Sequence, residues 1–225
     1  MGTKQYETTV TKEHYDTCYN DPYSFASFQK QLTELLKTKP KKVLEVGSGN
    51  KLVYNQLKTA GINVIHTDIN EHIQPDIVAD IRQLPFKDNT FDTTCAFEVL
   101  EHIPFSDFEQ GLKEVLRTTK QYTIISLPIR RFGLTMTFDF NLFHNKHIYI
   151  KPPEWLTDCI YSLTRQRLTE GHYWEIDYPN FRRNTIRNII QRHAVIRKDY
   201  RVPNNPRHYM FVLEKKDDEA RKEDN

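Results

Sequence analysis

The sequence predicts an α/β fold with helices packed on a largely parallel sheet, and three observations predict it. Val43-Leu44-Glu45-Val46 is an apolar run that enters Gly47-Ser48-Gly49-Asn50, which reads as a buried strand passing into a glycine turn. Ile62-Asn63-Val64-Ile65-His66-Thr67-Asp68 reads as a second apolar strand that ends in a carboxylate. Near the end, Pro203-Asn204-Asn205-Pro206 is a hairpin turn between strands over about 195–202 and 208–214.

The elements follow in order. Residues before about Ser24 form a polar, aromatic-spotted arm, His14-Tyr15-Asp16-Thr17-Cys18-Tyr19-Asn20. Phe25, Phe28, Leu32, Leu35 and Leu36 recur at helical spacing up to Lys39, and Pro40 ends that helix. Five strands and their helices occupy Lys41 to Pro128. A helix over about Lys51–Ala60 follows the glycine turn, and the fourth crossover helix carries Phe108, Leu112, Val115 and Leu116 on one face. Residues 129–179 are too long for a simple connection, which takes about 2–6 residues beyond its helix. They are rich in aromatics and histidines, hold a short helix over 153–164, and are expected to cap the carboxyl end of the sheet. Ile186, Ile189 and Ile190 mark a last helix over about 180–193, and the charged residues from Lys215 onward are expected to fray. The expectation is one domain over 1–225: an arm and helix (1–40), a ligand-binding half (41–128), a cap (129–179) and a closing helix and strands (180–215).

Composition narrows the class. The 225 residues suffice for one α/β core. Lys and Arg number 32 against 30 Asp and Glu, a net charge of +2, so no global electrostatic drive toward nucleic acid is expected. Cys18, Cys95 and Cys159 are scattered and odd in number, which fits a reducing cytoplasm without disulfides, and Cys95 reads as core. No metal-ligand spacing is present, so no metal is expected. The amino terminus is polar and no apolar run is long enough to cross a bilayer, so no membrane insertion is expected.

The glycine turn is the first site candidate. Gly47 and Gly49 permit positive φ and close approach of a ligand to the backbone, and the next helix aims free N–H groups at it. Asp68 at the second strand tip suits the two hydroxyls of a ribose, since an ionised carboxylate only accepts hydrogen bonds; its plainer reading is a turn residue. A dinucleotide fingerprint wants a third glycine where Leu52 stands, and no Gly-Lys-Ser/Thr follows for a P-loop. Glu45, beside the turn, repels a pyrophosphate and favours a cationic or amino-bearing ligand.

Glu45-Val46-Gly47-Ser48-Gly49 resembles motif I of the class I S-adenosylmethionine-dependent methyltransferases, of the type 11 group, and later segments resemble that family in its order. The resemblance spans Lys41 to Pro128. It implies a Rossmann-like seven-stranded sheet with an antiparallel last strand, S-adenosyl-L-methionine as cofactor, and methyl transfer. It also implies site residues. Asp68, with Ile69, matches the ribose acid. Ala79-Asp80-Ile81 before Leu84-Pro85-Phe86 matches the segment that contacts adenine. Phe97-Glu98-Val99-Leu100-Glu101-His102 matches the fourth strand exit, which lines the methionine end. Asn50 departs mildly from the small residue of the family turn.

Within the cap, Gly171-His172-Tyr173-Trp174-Glu175-Ile176 resembles a run in methyltransferases of bacterial surface-polysaccharide pathways. On a strand, His172 and Trp174 share one face, a possible sugar-stacking wall, with Glu175 opposite. The plainer reading is a structural His172–Glu175 pair. Methyl transfer to an alcohol favours a general base, and histidine suits it. His172 and His102 rank first, while His144, His147, Tyr173, Trp174, Glu175 and Arg130 are candidates for holding a small-molecule or glycan-precursor acceptor. The rival is a nucleic-acid methyltransferase, for which Arg182, Arg183, Arg187, Arg192, Arg197, Lys198, Arg201 and Arg207 supply a basic track. Arg183 and Arg187 alternate with apolar helix positions as on any solvated face, and no Asn/Asp-Pro-Pro-aromatic segment follows the fourth strand, so nucleic acid is the lesser expectation.

Overall fold

The computed structural model describes residues 19–130, 134–140, 143–150, 152–164 and 168–216. Residues 1–18 of the predicted N-terminal arm and the charged tail from 217 lie outside these.

Helix α1 spans Pro22–Lys37. Asp21 caps it, its side chain accepting from the N–H groups of Tyr23 and Ser24, and Pro22 occupies the first turn, where a missing N–H costs nothing. Its apolar stripe is only partly used as expected: Leu35 is buried, whereas Phe25 and Leu36 are exposed. Ser27 and Gln31 take the inner face instead.

Strands β1 (Lys42–Val46), β2 (Asn63–Asp68), β3 (Ile77–Val78), β4 (Phe91–Phe97) and β5 (Thr119–Pro128) are parallel neighbours. Helices α2 (Leu52–Thr59) and α3 (Phe105–Thr118) connect them. No helix forms between β3 and β4 among the described residues, where turns replace the expected crossover helix. Segment 134–150 differs from expectation too. It forms an antiparallel hairpin of β6 (Leu134–Phe140) and β7 (Phe143–Ile150), apart from the main sheet. Helix α4 (Glu154–Thr164) follows, then α5 (Arg183–His193), β8 (Ala194–Arg201) and β9 (His208–Lys215). The turn at 203–206 joins β8 and β9 as read from sequence, and Lys215 is part of β9 rather than frayed tail.

The seven strands run β3-β2-β1-β4-β5-β9-β8, with β9 antiparallel to both neighbours. This is the seven-stranded, Rossmann-like sheet. Each strand alternates its side chains between two cores. Val43, Cys95 and Ile124 point toward α1 and α2, with Leu35, Tyr54 and Leu57. Leu44, Ala96 and Ile125 point toward α3 and α5, with Phe108, Leu112, Ile186 and Ile190. Both faces are covered, so the central strands read as nearly continuous apolar runs. Strand order reverses between β1 and β4, and ligands of open α/β sheets bind at such a switch point, beyond the carboxyl ends of the strands. Among the described residues no helix is long and apolar enough to cross a membrane.

Candidate active site

A cavity of about 580 Å³ lies at that switch point, within the usual range of a small-molecule site. Glu45, Gly47, Ser48 and Gly49 line it from β1 and its turn, Asp68 and Ile69 from β2, Asp80 and Ile81 from the segment after β3, and Phe97 and Glu98 from β4. All ten cofactor candidates therefore share one wall. His102, His172 and Tyr173 line the cavity as well.

The turn is built for close approach. Gly47 has φ +75°, and a Cβ there would lie 2.3 Å from Val99 Cγ2. Its N–H donates to Thr67 O at 2.7 Å, tying the turn to β2. The Ser48 hydroxyl is spent on His66 Nδ1, 2.8 Å away. Glu45 is 3% exposed, and burial, reinforced by the charge of Asp68, pushes its carboxyl up to about 8. Glu45 therefore keeps its proton through neutral pH. Asp68 accepts the N–H of Asn70 at 2.9 Å, so the turn reading of this residue also holds. Asp80 is held by the Arg82 guanidinium, which donates at 3.0 and 2.6 Å and also reaches Asp107 at 2.8 Å.

β4 ends in a tight bend. Glu98 has φ +55°, the left-handed region, and a single turn of 3-10 helix at Leu100–His102 follows. Burial pushes the Glu98 carboxyl up to about 8, with the charge of Glu175 adding to it. Glu98 lies 3.5 Å from His208 Nε2, and His208 Nδ1 is 2.9 Å from Ser27 Oγ. This polar chain crosses from β4 through β9 to α1. Tyr19, Ser24, Ser27, Phe28 and Gln31, together with His208, form a cavity wall that the sequence reading missed. The signal was faint: a polar inner face on α1, which local periodicity reads as solvated.

The segment 171–176 is anchored from below. Trp174 is fully buried, its Nε1–H donates to Ile103 O at 3.2 Å, and its ring packs on Phe105 and Phe108 at about 5 Å. It is a core residue, which corrects the expectation of a sugar-stacking wall. Tyr173 N–H donates to Glu101 O at 2.9 Å. Glu175 is buried and accepts from Thr169 N and His172 Nδ1, both at 2.9 Å, so it holds the segment and does not line the cavity. Burial raises the Glu175 carboxyl, but the bonds from His172 and Thr169 together outweigh it and hold the group below its ordinary value. Arg130 is buried too. It donates to Thr157 O and, at 3.1 Å, to Asp158, pinning α4 to the exit of β5, which corrects its assignment to the acceptor. The side chains of His144 and His147 lie outside what the structure describes.

His102 and His172 meet edge to face, ring centroids 4.9 Å apart. His102 Nδ1 lies 3.2 Å from Gly171 O, and its Nε2 lies 3.9 Å from a Glu101 carboxylate oxygen. Glu101, His102 and His172 bring ligand-type atoms within 4.8 Å of one another. No sequence spacing marks this group, because His102 and His172 are 70 positions apart, and it overturns the expectation that no metal-ligand cluster exists.

Six of the eight residues of the basic track meet acids within the fold. Arg182 pairs with Asp158, Arg183 with Asp177, Arg187 with Asp199, Arg192 with Glu109, Arg197 with Glu214 and Lys198 with Glu34.

Residues 44–126 match the family described as "Methyltransferase domain". A demethylmenaquinone methyltransferase of Corynebacterium glutamicum is 31% identical over 102 residues, 41% of this chain and 44% of that protein. An uncharacterised protein of Methanocaldococcus jannaschii is 30% identical over 110 residues, 45% and 48% of the two chains. The match spans about half the length of these relatives. Magnesium protoporphyrin IX methyltransferase of Synechocystis, solved with S-adenosylhomocysteine, shares the fold at a TM-score of 0.64 and 14% identity, over 95% of this chain and 98% of that one. Residues 44–126 thus match a methyltransferase domain by sequence, and the chain shares the fold of the Synechocystis methyltransferase.

Proposed function

We propose that this chain transfers the methyl group of S-adenosylmethionine to a hydroxyl of a small acceptor, a sugar or glycan precursor, in a reducing cytoplasm. One observation carries the reading: a single cavity at the switch point joins three acids, Glu45, Asp68 and Asp80, to a histidine pair, His102 and His172. Asp68 accepts from the ribose hydroxyls. Gly47 and Gly49 let the cofactor lie against the backbone. Asp80 and Ile81 flank the adenine, and Glu45 favours the cofactor's positive charges over a pyrophosphate. Phe97 and Glu98 border the methionine end, which brings the methyl toward His102.

The chemistry asks mainly for alignment. The acceptor oxygen attacks the methyl carbon, the carbon–sulfur bond breaks, and its electron pair returns to sulfur, leaving S-adenosylhomocysteine. The acceptor's proton leaves toward the His102–His172 pair. Tyr173, about one-third exposed on the cavity, offers a ring face to the acceptor. The unpaired cysteines, Cys95 and Cys159, fit a reducing compartment.

Incubating the protein with methyl-labelled S-adenosylmethionine and an extract of its own host tests this. Label is expected in low-mass or glycan fractions that resist nuclease and protease. Label in nuclease-sensitive material would contradict the acceptor class, and the paired state of the basic track weighs against that outcome.

A further inference from the structure

We infer that Glu101, His102 and His172 bind a divalent transition-metal cation at the acceptor end of the cavity, as a face of two imidazoles and one carboxylate. Three observations converge. The ligand-type atoms lie within 4.8 Å of one another, whereas a cation bound at about 2.1 Å wants them roughly 3–4 Å apart, so small ring and carboxylate rotations close the set. Both Nδ1 atoms face groups that only accept: Gly171 O at 3.2 Å for His102 and the Glu175 carboxylate at 2.9 Å for His172. Each Nδ1 is therefore placed to donate, the arrangement that leaves Nε2 as the coordinating atom of a neutral imidazole. A histidine whose Nδ1–H is held by a carbonyl or carboxylate is the usual form of a metal-bound imidazole, oriented and made more basic by its partner.

The third observation is the rigidity of the mounting. Glu101 and His102 sit on one 3-10 turn, and Glu101 is fully buried. The opposite segment is fixed by the buried Trp174, by Glu175 on Thr169 N, and by Tyr173 N–H on Glu101 O. Two segments far apart in sequence are thus tied at the backbone beside the ligand atoms themselves. A purely structural His172–Glu175 pair explains one of these contacts but not the second imidazole, held at Nδ1 by a backbone carbonyl with its Nε2 toward the Glu101 carboxylate.

Two imidazoles with one carboxylate favour manganese, iron, cobalt or zinc over calcium or magnesium, which prefer oxygen ligands. Three protein ligands leave positions open on the cavity side. The role of the cation rests on the methyl-transfer reading above, although the site itself does not. There it would bind the acceptor oxygen and make its hydroxyl acidic, so that the two histidines serve as its ligands in place of the proton acceptors assigned above. The O–H bond breaks with its proton passing to water, and the bound oxygen takes the methyl as the carbon–sulfur bond releases its electron pair to sulfur.

The test uses Mn²⁺ with the full chain, followed by the loss of the free-ion signal in electron paramagnetic resonance. One Mn²⁺ per chain is expected, with His172→Ala and Glu101→Gln each weakening binding tenfold or more while circular dichroism shows an intact fold. Absence of binding by the wild type for both Mn²⁺ and Zn²⁺, or equal binding by folded variants, overturns the site. Titration of the wild type with S-adenosylhomocysteine in parallel separates the two readings: Mn²⁺ bound without any S-adenosylhomocysteine supports the cation site and ends the methyl-transfer reading.

Discussion

Glu45 holds its proton far above the ordinary carboxyl range because it is buried at the end of β1, with the charge of Asp68 nearby. Its folded value is about 8 against an ordinary value of 4.5. The folded state therefore binds the proton more tightly than the unfolded chain does. The resulting stability is fully present below pH 4.5 and is lost as pH rises toward 8, after which the loss is constant. Glu45→Gln is expected to flatten that decline, measurable as urea midpoints taken across this pH range. An unchanged decline would place the titrating group elsewhere. At this scale the sequence was informative where local geometry forces residue choice. Gly47 is legible because its φ and the approach of Val99 leave no room for a Cβ. Ser27, Gln31 and His208 were not legible, since only the packing of α1 and β9 brings them to the cavity. His102 and His172 were each legible as histidines of interest, but their convergence with Glu101 depends on the fold.

Elements set the positions of those residues, and the segment 171–176 shows how. Trp174 read from sequence as a ligand-facing ring because alternation was assumed. Its surroundings, Phe105, Phe108 and Phe181, instead make it the plug that holds the segment between α4 and α5 against the start of α3. Trp174→Ala is expected to destabilise the protein by about 3–5 kcal/mol, the usual cost of removing a fully buried large aromatic side chain. Denaturant unfolding checks this, and a loss below about 1 kcal/mol would mean that the segment is not anchored there. Helices α1 to α5 were legible from periodicity and caps. The β6–β7 hairpin was not, although Leu134, Met136, Phe138 and Phe140 alternate, because the surrounding aromatics and histidines suggested an irregular cap. The two-residue β3 is too short for any pattern to mark.

For the whole molecule, topology puts the chemistry in one place. The reversal of strand order between β1 and β4 opens the crevice, and acids from three successive segments meet there with the histidine pair. The fold class and the closing antiparallel hairpin were legible because apolar strands, a glycine turn and a Pro-Asn-Asn-Pro turn each carry local signals. The pairing of six of the eight basic-track residues was not, since Arg182 to Lys198 find their acidic partners on other elements. On the proposed reading, S-adenosylmethionine binds in this cavity with its ribose on Asp68. Calorimetric titration of S-adenosylhomocysteine into the wild type and Asp68→Ala tests it most directly. One-to-one binding by the wild type, weakened at least tenfold in a folded Asp68→Ala, is the expected result. No binding by the wild type, or equal affinity in both proteins, would contradict it.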